Sequence, residues 1–257
     1  MARQVTLIAL YGEKPALLSK LVFDCQQQIT DILKSDFQPY DICQIHATII
    51  DLSQIDAAAV RVNLNFAKYR QQEKQMNFAG VLKFIRENWL PMKVQIGGFE
   101  NRDYPFVSRG KRPCDRSFSI QGDKVVILGW PICRQPSLNP VTLEENIIYP
   151  TVLEDFRRTN QNFNILHTYH REITDVDNDF YFRIGLARPA VPAEIKQKIE
   201  NQIRQFLANI KPLAIEVTKS NLYLACYEDE TLPINSTKFW SIEDPKVTPD
   251  FIENLYK

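Results

Sequence analysis

Twice along the chain, a short β-prone apolar run leads into a long segment of helical period and then into further β-prone runs. That repetition limits the fold more tightly than any single motif does. In the first half, a strand is expected over Val5–Tyr11 and a turn over Gly12–Pro15. Leu17, Leu18, Leu21, Val22, Cys25, Ile29, Ile32 and Leu33 then recur at the spacing of one helix face, and Pro39 ends the run. In the second half, Pro189 and Pro192 introduce a helix with Ile195, Ile199, Ile203, Phe206 and Ile210 on one side. The remaining β-prone runs are Ile45–Ile50, Met92–Phe99, Phe118–Ile120, Val125–Trp130, Phe163–Arg171, Phe180–Ala187, Leu213–Val217 and Asn221–Cys226. Gln121–Lys124 reads as a hairpin turn between two of them. Further helices are expected from near Gln54 through Tyr69, over Phe78–Trp89 and over Thr142–Arg158. After Pro233 the tail reads as polar and irregular, with one short helix over Pro249–Tyr256.

This pattern implies an α+β fold of two pseudo-symmetric lobes, each an antiparallel sheet with helices on its outer face, enclosing a central cleft. The expected organisation is one bilobal domain, with lobe one over about 3–122, lobe two over about 123–232 and the tail over 233–257. The 257 residues are 44% hydrophobic, enough for a core of that size. Lys+Arg and Asp+Glu balance at 31 each, which argues against holding long nucleic acid by bulk charge but leaves room for a local basic cleft. The five cysteines are scattered, with no C-x-x-C pair, and read as free thiols in a reducing compartment with no zinc. The N-terminal apolar run is too short for a signal peptide, and no segment reaches membrane-spanning length, so a soluble, cytoplasmic monomer is expected. With 8 glycines, loops of the phosphate-cradling Gly-rich kind are not available.

The chemistry points to Ile45-His46-Ala47-Thr48-Ile49-Ile50. Side chains alternate along a strand, so His46 and Thr48 share one face and the flanking apolar residues the other. A neutral imidazole can exchange a proton near pH 7, and a hydroxyl one pleat along can hold an oxyanion. In the second half, Phe182-Arg183-Ile184-Gly185-Leu186-Ala187-Arg188 occupies the corresponding place. Together these stretches resemble the 2H phosphoesterase superfamily, which includes the RNA 2′,3′-cyclic phosphodiesterases also called 2′-5′ RNA ligases. In that family each lobe contributes a strand bearing His-x-Thr or His-x-Ser, the second followed by a Leu-Ala-Arg-like run. The resemblance spans roughly residues 3 to 228, and it departs from the family where Arg183 replaces the second His and Gly185 the second hydroxyl. It implies a metal-independent site, without cofactor, for a small nucleotide or RNA end, with His46 and Thr48 serving one side. Arg183 cannot act as an acid or base at neutral pH but can clamp a phosphate bidentately.

A compensating pair is available nearby. A hairpin centred between Val176 and Asp177 would set His170 beside Arg183 and Thr168 beside Gly185 on one face. Arg109, Lys111 and Arg112 lie in a loop that could contact phosphates, the alternative being a solvated surface. Tyr181 and Tyr11 could each stack on a base, or simply pack. Asp175, Asp177 and Asp179 lack the Gly and downstream Glu of a calcium loop. No cysteine has a base partner in sequence, and no Gly-x-Ser-x-Gly elbow is present. Two readings follow: a divergent phosphoesterase acting on a 2′,3′-cyclic phosphate or 2′-5′ linkage, and a non-catalytic nucleotide-binding or scaffold protein using the same cleft. Tandem-lobed CRISPR RNA-processing endonucleases rank lower, because Ser220–Pro233 contains no glycine.

Overall fold

A computed structural model describes residues 3–55, 60–135, 146–172 and 176–257. The elements run β1 (Gln4–Ala9), α1 (Ala16–Leu33), β2 (Phe37–Pro39), β3 (Ala47–Asp51), α2 (Leu64–Arg70), α3 (Phe78–Asn88), β4 (Met92–Ile96) and α4 (Pro113–Arg116). They continue with β5 (Phe118–Gln121), β6 (Lys124–Gln135), β7 (Asn146–Ile148), α5 (Val152–Thr159), β8 (Phe180–Ala187), α6 (Ala193–Asn209), β9 (Leu213–Val217), β10 (Leu222–Tyr227), β11 (Lys238–Ser241) and α7 (Pro249–Asn254). The fold is mixed α+β around a large antiparallel sheet in the order β11-β10-β1-β3-β8-β6-β4-β9, with β2 added to β8 and β5 and β7 to β6.

One core joins the sheet to its helices. Leu18, Val22, Cys25 and Ile29 of α1 pack with Val81 and Ile85 of α3, Leu153 of α5, and Ile199, Ile203 and Leu207 of α6. The inward-facing strand residues complete it, among them Leu7, Ala47, Ile127, Phe182 and Leu224. On the opposite face of the sheet, the described residues form two smaller apolar clusters. Ile8, Tyr11, Ala225 and Leu232 cluster on one side, and Phe99, Cys114, Val126, Leu128 and Trp130 on the other.

Strands β3 and β8 meet in register only at Ala47↔Phe182. Beyond that pair the two strands part, and the buried guanidinium of Arg157 from α5 fills the wedge. It donates to the carbonyls of Thr48 (2.8 Å) and Ile49 (3.1 Å) on β3 and of Asp179 (3.1 Å) just ahead of β8. It also pairs with the buried Asp177 carboxylate at 2.9 Å. Strand-to-strand hydrogen bonds are thus replaced by one side chain where the sheet opens, which keeps the buried carbonyls satisfied.

Both strands at this junction carry a bulge. Leu7 pairs with Ile50 but Ile8 pairs with Thr48, so Ile49 is the extra residue on β3. Val126 pairs with Arg183 but Val125 pairs with Gly185, so Ile184 is the extra residue on β8. A bulge bends its strand and re-aims the side chains that follow.

Several sequence expectations change. Gln54 bridges to Asn63, and the helix starts only at Leu64, where the Asn63 side chain caps it by accepting the Phe66 N–H at 2.9 Å. The Ala57–Ala59 run falls outside the described residues. Of the helix expected over Thr142–Arg158, residues 146–148 instead pair with β6 and only Val152–Thr159 is helical; the expected start, 142–145, falls outside the described residues. The segment Ile165–Arg171 is not a strand: Ile165 and Leu166 are buried as irregular chain, and the Leu166 N–H is tied at 3.1 Å to the Asn63 side chain. The tail is not peripheral either. Strand β11 extends the sheet beyond β10, and Ile242, Val247, Ile252 and Tyr256 are all buried.

Candidate functional site

The open face between the two small clusters holds the residues singled out from sequence. Along Ile45–Ile49, Ile45, Ala47 and Ile49 are buried in the core, while His46 and Thr48 are half-buried toward the other face. Along β8, Phe180, Phe182 and Ile184 are buried while Tyr181 and Arg183 are half-buried. Period-two alternation therefore turns all four polar side chains away from the helical core.

His46 is held in one tautomer. Its Nδ1 lies 2.8 Å from the Gln44 carbonyl, which can only accept, so in the neutral ring the proton is on Nδ1 and Nε2 is the basic nitrogen. Burial, with the nearby Arg183 and Lys14 charges adding to it, pushes the imidazole down to about 4, against a smaller upward pull from the Gln44 carbonyl. At neutral pH the ring is therefore an uncharged base.

Lys14 is the residue that sequence reasoning passed over. It sits in the turn after β1, is 8% exposed, and donates to the Gly12 carbonyl at 2.9 Å. Burial lowers its ammonium to about 8. Its sequence signal was no more than a position in the Gly12–Pro15 turn that follows a central strand, two elements before the His46 strand.

Arg183 is placed by a chain of contacts that also left no motif. The buried Gln26 amide of α1 donates to the carbonyls of Tyr40 (2.8 Å) and of the bulged Ile184 (2.9 Å), and the Tyr40 N–H donates to Ile184 at 3.0 Å. Tyr40 and Arg183 are neighbours in this arrangement, and Arg183 donates to the Glu230 carbonyl at 3.3 Å. The loop carrying Glu230 straps the site. Thr231 takes a hydrogen bond from Gln44, the Leu232 carbonyl takes one from Tyr11 at 2.9 Å, and the Glu230 carboxylate pairs with Lys124 at 3.3 Å.

The other expected site residues divide. Tyr11 is buried at 2% exposure with its hydroxyl on Leu232, so it cannot stack on a ligand; its ring packs 5.9 Å from the His46 ring and forms the wall behind it. Tyr181 stays at the site, its hydroxyl donating to Gln121 at 3.1 Å. Arg109 reaches the same neighbourhood, its guanidinium 3.8 Å from the centre of the Tyr169 ring, which in turn lies 6.3 Å from the Tyr181 ring. Lys111 opens onto a separate pocket, and Arg112 pairs with Asp115 at 2.9 Å on the surface.

The compensating pair from the neighbouring segment does not form. β8 is paired with β6 along one edge and with β3 and β2 along the other, leaving no edge for Ile165–Arg171. His170 is fully buried, its Nε2 3.1 Å from the Glu154 carboxylate. Thr168 donates to Asp51 at 2.8 Å. Gly185 is fixed by packing: a Cβ there would stand 2.5 Å from the Phe37 ring and 2.6 Å from the Gln38 carbonyl of β2. The bulge at Ile184 directs that position at β2 rather than beside Arg183.

Taken together, His46 is an uncharged base on a half-open face, and it feels the charges of Arg183 and of the buried Lys14. Among the described residues, no group of three or more His, Cys, Asp or Glu could hold a metal ion, and no helix is long and apolar enough to cross a membrane. No protein-family model matches the chain, and no curated protein matches it either.

Proposed function

We propose that this protein is a metal-independent phosphodiesterase of the 2H type, acting on a 2′,3′-cyclic phosphate or a related nucleotide in a cleft between two lobes. The observation that carries this reading is the company His46 keeps: its tautomer is fixed with Nε2 as the base, beside the cations Arg183 and Lys14. Cations gathered on a half-buried surface favour an anion between them. The matched bulges that follow Thr48 and Arg183 support the idea of two related half-sites.

In this mechanism Arg183 clamps the phosphate oxygens, and Thr48 is positioned to donate to one of them. Water attacks phosphorus in line, and His46 Nε2 takes its proton. The bond from phosphorus to the leaving ribose oxygen breaks, and the Lys14 ammonium supplies that oxygen with a proton. One water is added and a phosphomonoester is released. Lys14 thus takes the part that Arg183 cannot.

The test is turnover of 2′,3′-cyclic mononucleotides, followed by chromatography of the ring-opened product, for the wild type and for His46→Ala. Wild-type turnover should fall by about 100-fold or more in the variant, the usual worth of a general base. Its kcat/KM should decline as pH falls through about 4, where His46 gains a proton, and as pH rises through about 8, where Lys14 loses one. Lys14→Met should remove the alkaline limb. Wild-type binding without turnover would instead select the non-catalytic reading, which Arg183 in place of a second imidazole and Gly185 in place of a second hydroxyl favour.

A further inference from the structure

A second basic pocket lies beyond Tyr181. It is a cavity of about 290 Å3 where the Arg109–Lys111 turn meets α6, and Arg109, Lys111, Arg116, Lys196 and Arg204 line it against a single carboxylate, Glu200. That carboxylate is already committed, one oxygen accepting the Ile120 N–H at 2.9 Å and the other Arg204 at 2.9 Å. Neither Lys111 nor Lys196 meets a carboxylate among the described residues.

The pocket is built rather than incidental. Arg109 and Gly110 both have positive φ, at 49° and 71°, and Ser108 and Lys111 close the turn with two backbone hydrogen bonds, the pattern of a tight type I′ hairpin. A non-glycine residue held in that region marks a turn fixed by its surroundings. The anchor is Asp179, buried, whose carboxylate accepts from Ser108 (2.7 Å), Trp130 (2.7 Å) and Arg116 (3.3 Å). Arg116 is 6% exposed, and its Nε–H is buried without an acceptor. A buried arginine Nε–H without an acceptor, in a pocket where Lys111 and Lys196 face no carboxylate among the described residues, calls for an anionic acceptor.

The pocket is also wired to the first site. Tyr181 donates to Gln121, Gln121 donates to the Ser119 hydroxyl at 2.8 Å, and Arg116 donates to the same hydroxyl at 3.2 Å. Tyr181 shares its strand face with Arg183 one pleat away. The volume is at the small end for ligand pockets, enough for a phosphate and part of its ribose.

Resting on the reading of the first site as one for nucleotide phosphates, we infer that this pocket is a phosphate subsite for the adjoining nucleotide. The substrate class is then a short single-stranded oligonucleotide whose terminal phosphate sits at Arg183 and whose next backbone phosphate sits at Arg116, Lys111 and Lys196. Tyr181 would lie beneath the intervening base.

The test is direct binding of a fluorescent tetranucleotide ending in a 2′,3′-cyclic phosphate, across a salt series. It compares the wild type with Lys111→Glu/Lys196→Glu and with a charge-matched control, Lys83→Glu/Lys246→Glu, on the helical side. The pocket variant should bind at least tenfold more weakly, with the slope of log K against log salt reduced by about 0.7 or more, one phosphate contact on a single strand. The control should stay within twofold. Equal weakening by both variants, or none by the pocket variant, would overturn the subsite. If the wild type binds the tetranucleotide through these lysines yet turns over no cyclic mononucleotide, the subsite stands and the catalytic reading of the first site falls.

Discussion

Gly185 shows how a single residue can look like a lost catalytic group and be something else. Set against His46-Ala47-Thr48, the glycine marks a missing hydroxyl. In the fold it is a point where β2 pairs alongside β8, with no room for a Cβ beside the Phe37 ring and the Gln38 carbonyl. One of those neighbours is backbone on a paired strand and cannot move cheaply. Gly185→Ser should therefore not add a phosphate ligand. It should cost stability by about 1–3 kcal/mol, as over-packing of a close contact does. Urea unfolding monitored by tryptophan fluorescence checks this: an unchanged midpoint would show that β2 gives way, and a gain in turnover would show that the side chain reaches the site after all. The polar residues that do build the site, Lys14, Gln26 and Tyr40, lie in three separate elements or turns, so no local spacing could have grouped them.

At the scale of elements, the decisive feature is the divergence of β3 from β8 and the single arginine that holds the gap. Arg157 spans carbonyls on both sides and the Asp177 carboxylate, and all of these bonds but the part-buried one to Thr48 are buried. Removing a buried charged partner leaves the other groups unpaired, which typically costs 3–5 kcal/mol. Arg157→Met, close in volume but without donors, should lose about that much in chemical denaturation. It should also weaken phosphate binding, because Thr48 loses the support behind its carbonyl. A variant as stable as the wild type would mean that water or a shifted strand replaces the guanidinium.

The same scale shows what was legible. Alternation exposed β3 and β8 with the faces of His46, Thr48, Tyr181 and Arg183 correct but that of Gly185 wrong, and long helical periods exposed the extents of α1 and α6, with Leu17 and Ile195 left outside the buried faces expected for them. The bulges at Ile49 and Ile184 leave no trace in hydrophobic pattern, because both extra residues are apolar and both enter the core. Ile165 and Leu166 misled for a related reason: burial is what an apolar run encodes, and here an irregular segment anchored by side-chain hydrogen bonds provides it. Strands β2 and β11, three and four residues long, are too short for period alone to separate from loop.

Across the whole molecule, the tail connects the periphery to the site. Strand β11 covers the outer edge of β10, α7 packs against α3 with Ile252 in the core, and Tyr256, just beyond α7, stacks on Phe78 of α3. The Arg86 side chain of α3 donates to three tail carbonyls, at Ile242, Asp244 and Val247. Tyr256 stacks 6.0 Å from Phe78 and donates to the Leu52 carbonyl at 2.8 Å, one residue beyond the end of β3. The tail is thus part of what holds the His46 strand in place. Four fully buried apolar side chains are worth about 1.5–3 kcal/mol each, a sum comparable to the whole stability of an ordinary domain. A chain truncated after Thr237 should therefore fail to unfold cooperatively. The milder Ile252→Ala should keep the fold and lose about 2–5 kcal/mol, as such core truncations do. Its oligonucleotide affinity should match the wild type at low temperature and fall away earlier on heating, because the loss is one of support rather than of contact. A truncated protein with a wild-type melting temperature would show that the sheet closes without β11, and that His46 is positioned by β1 and β8 alone.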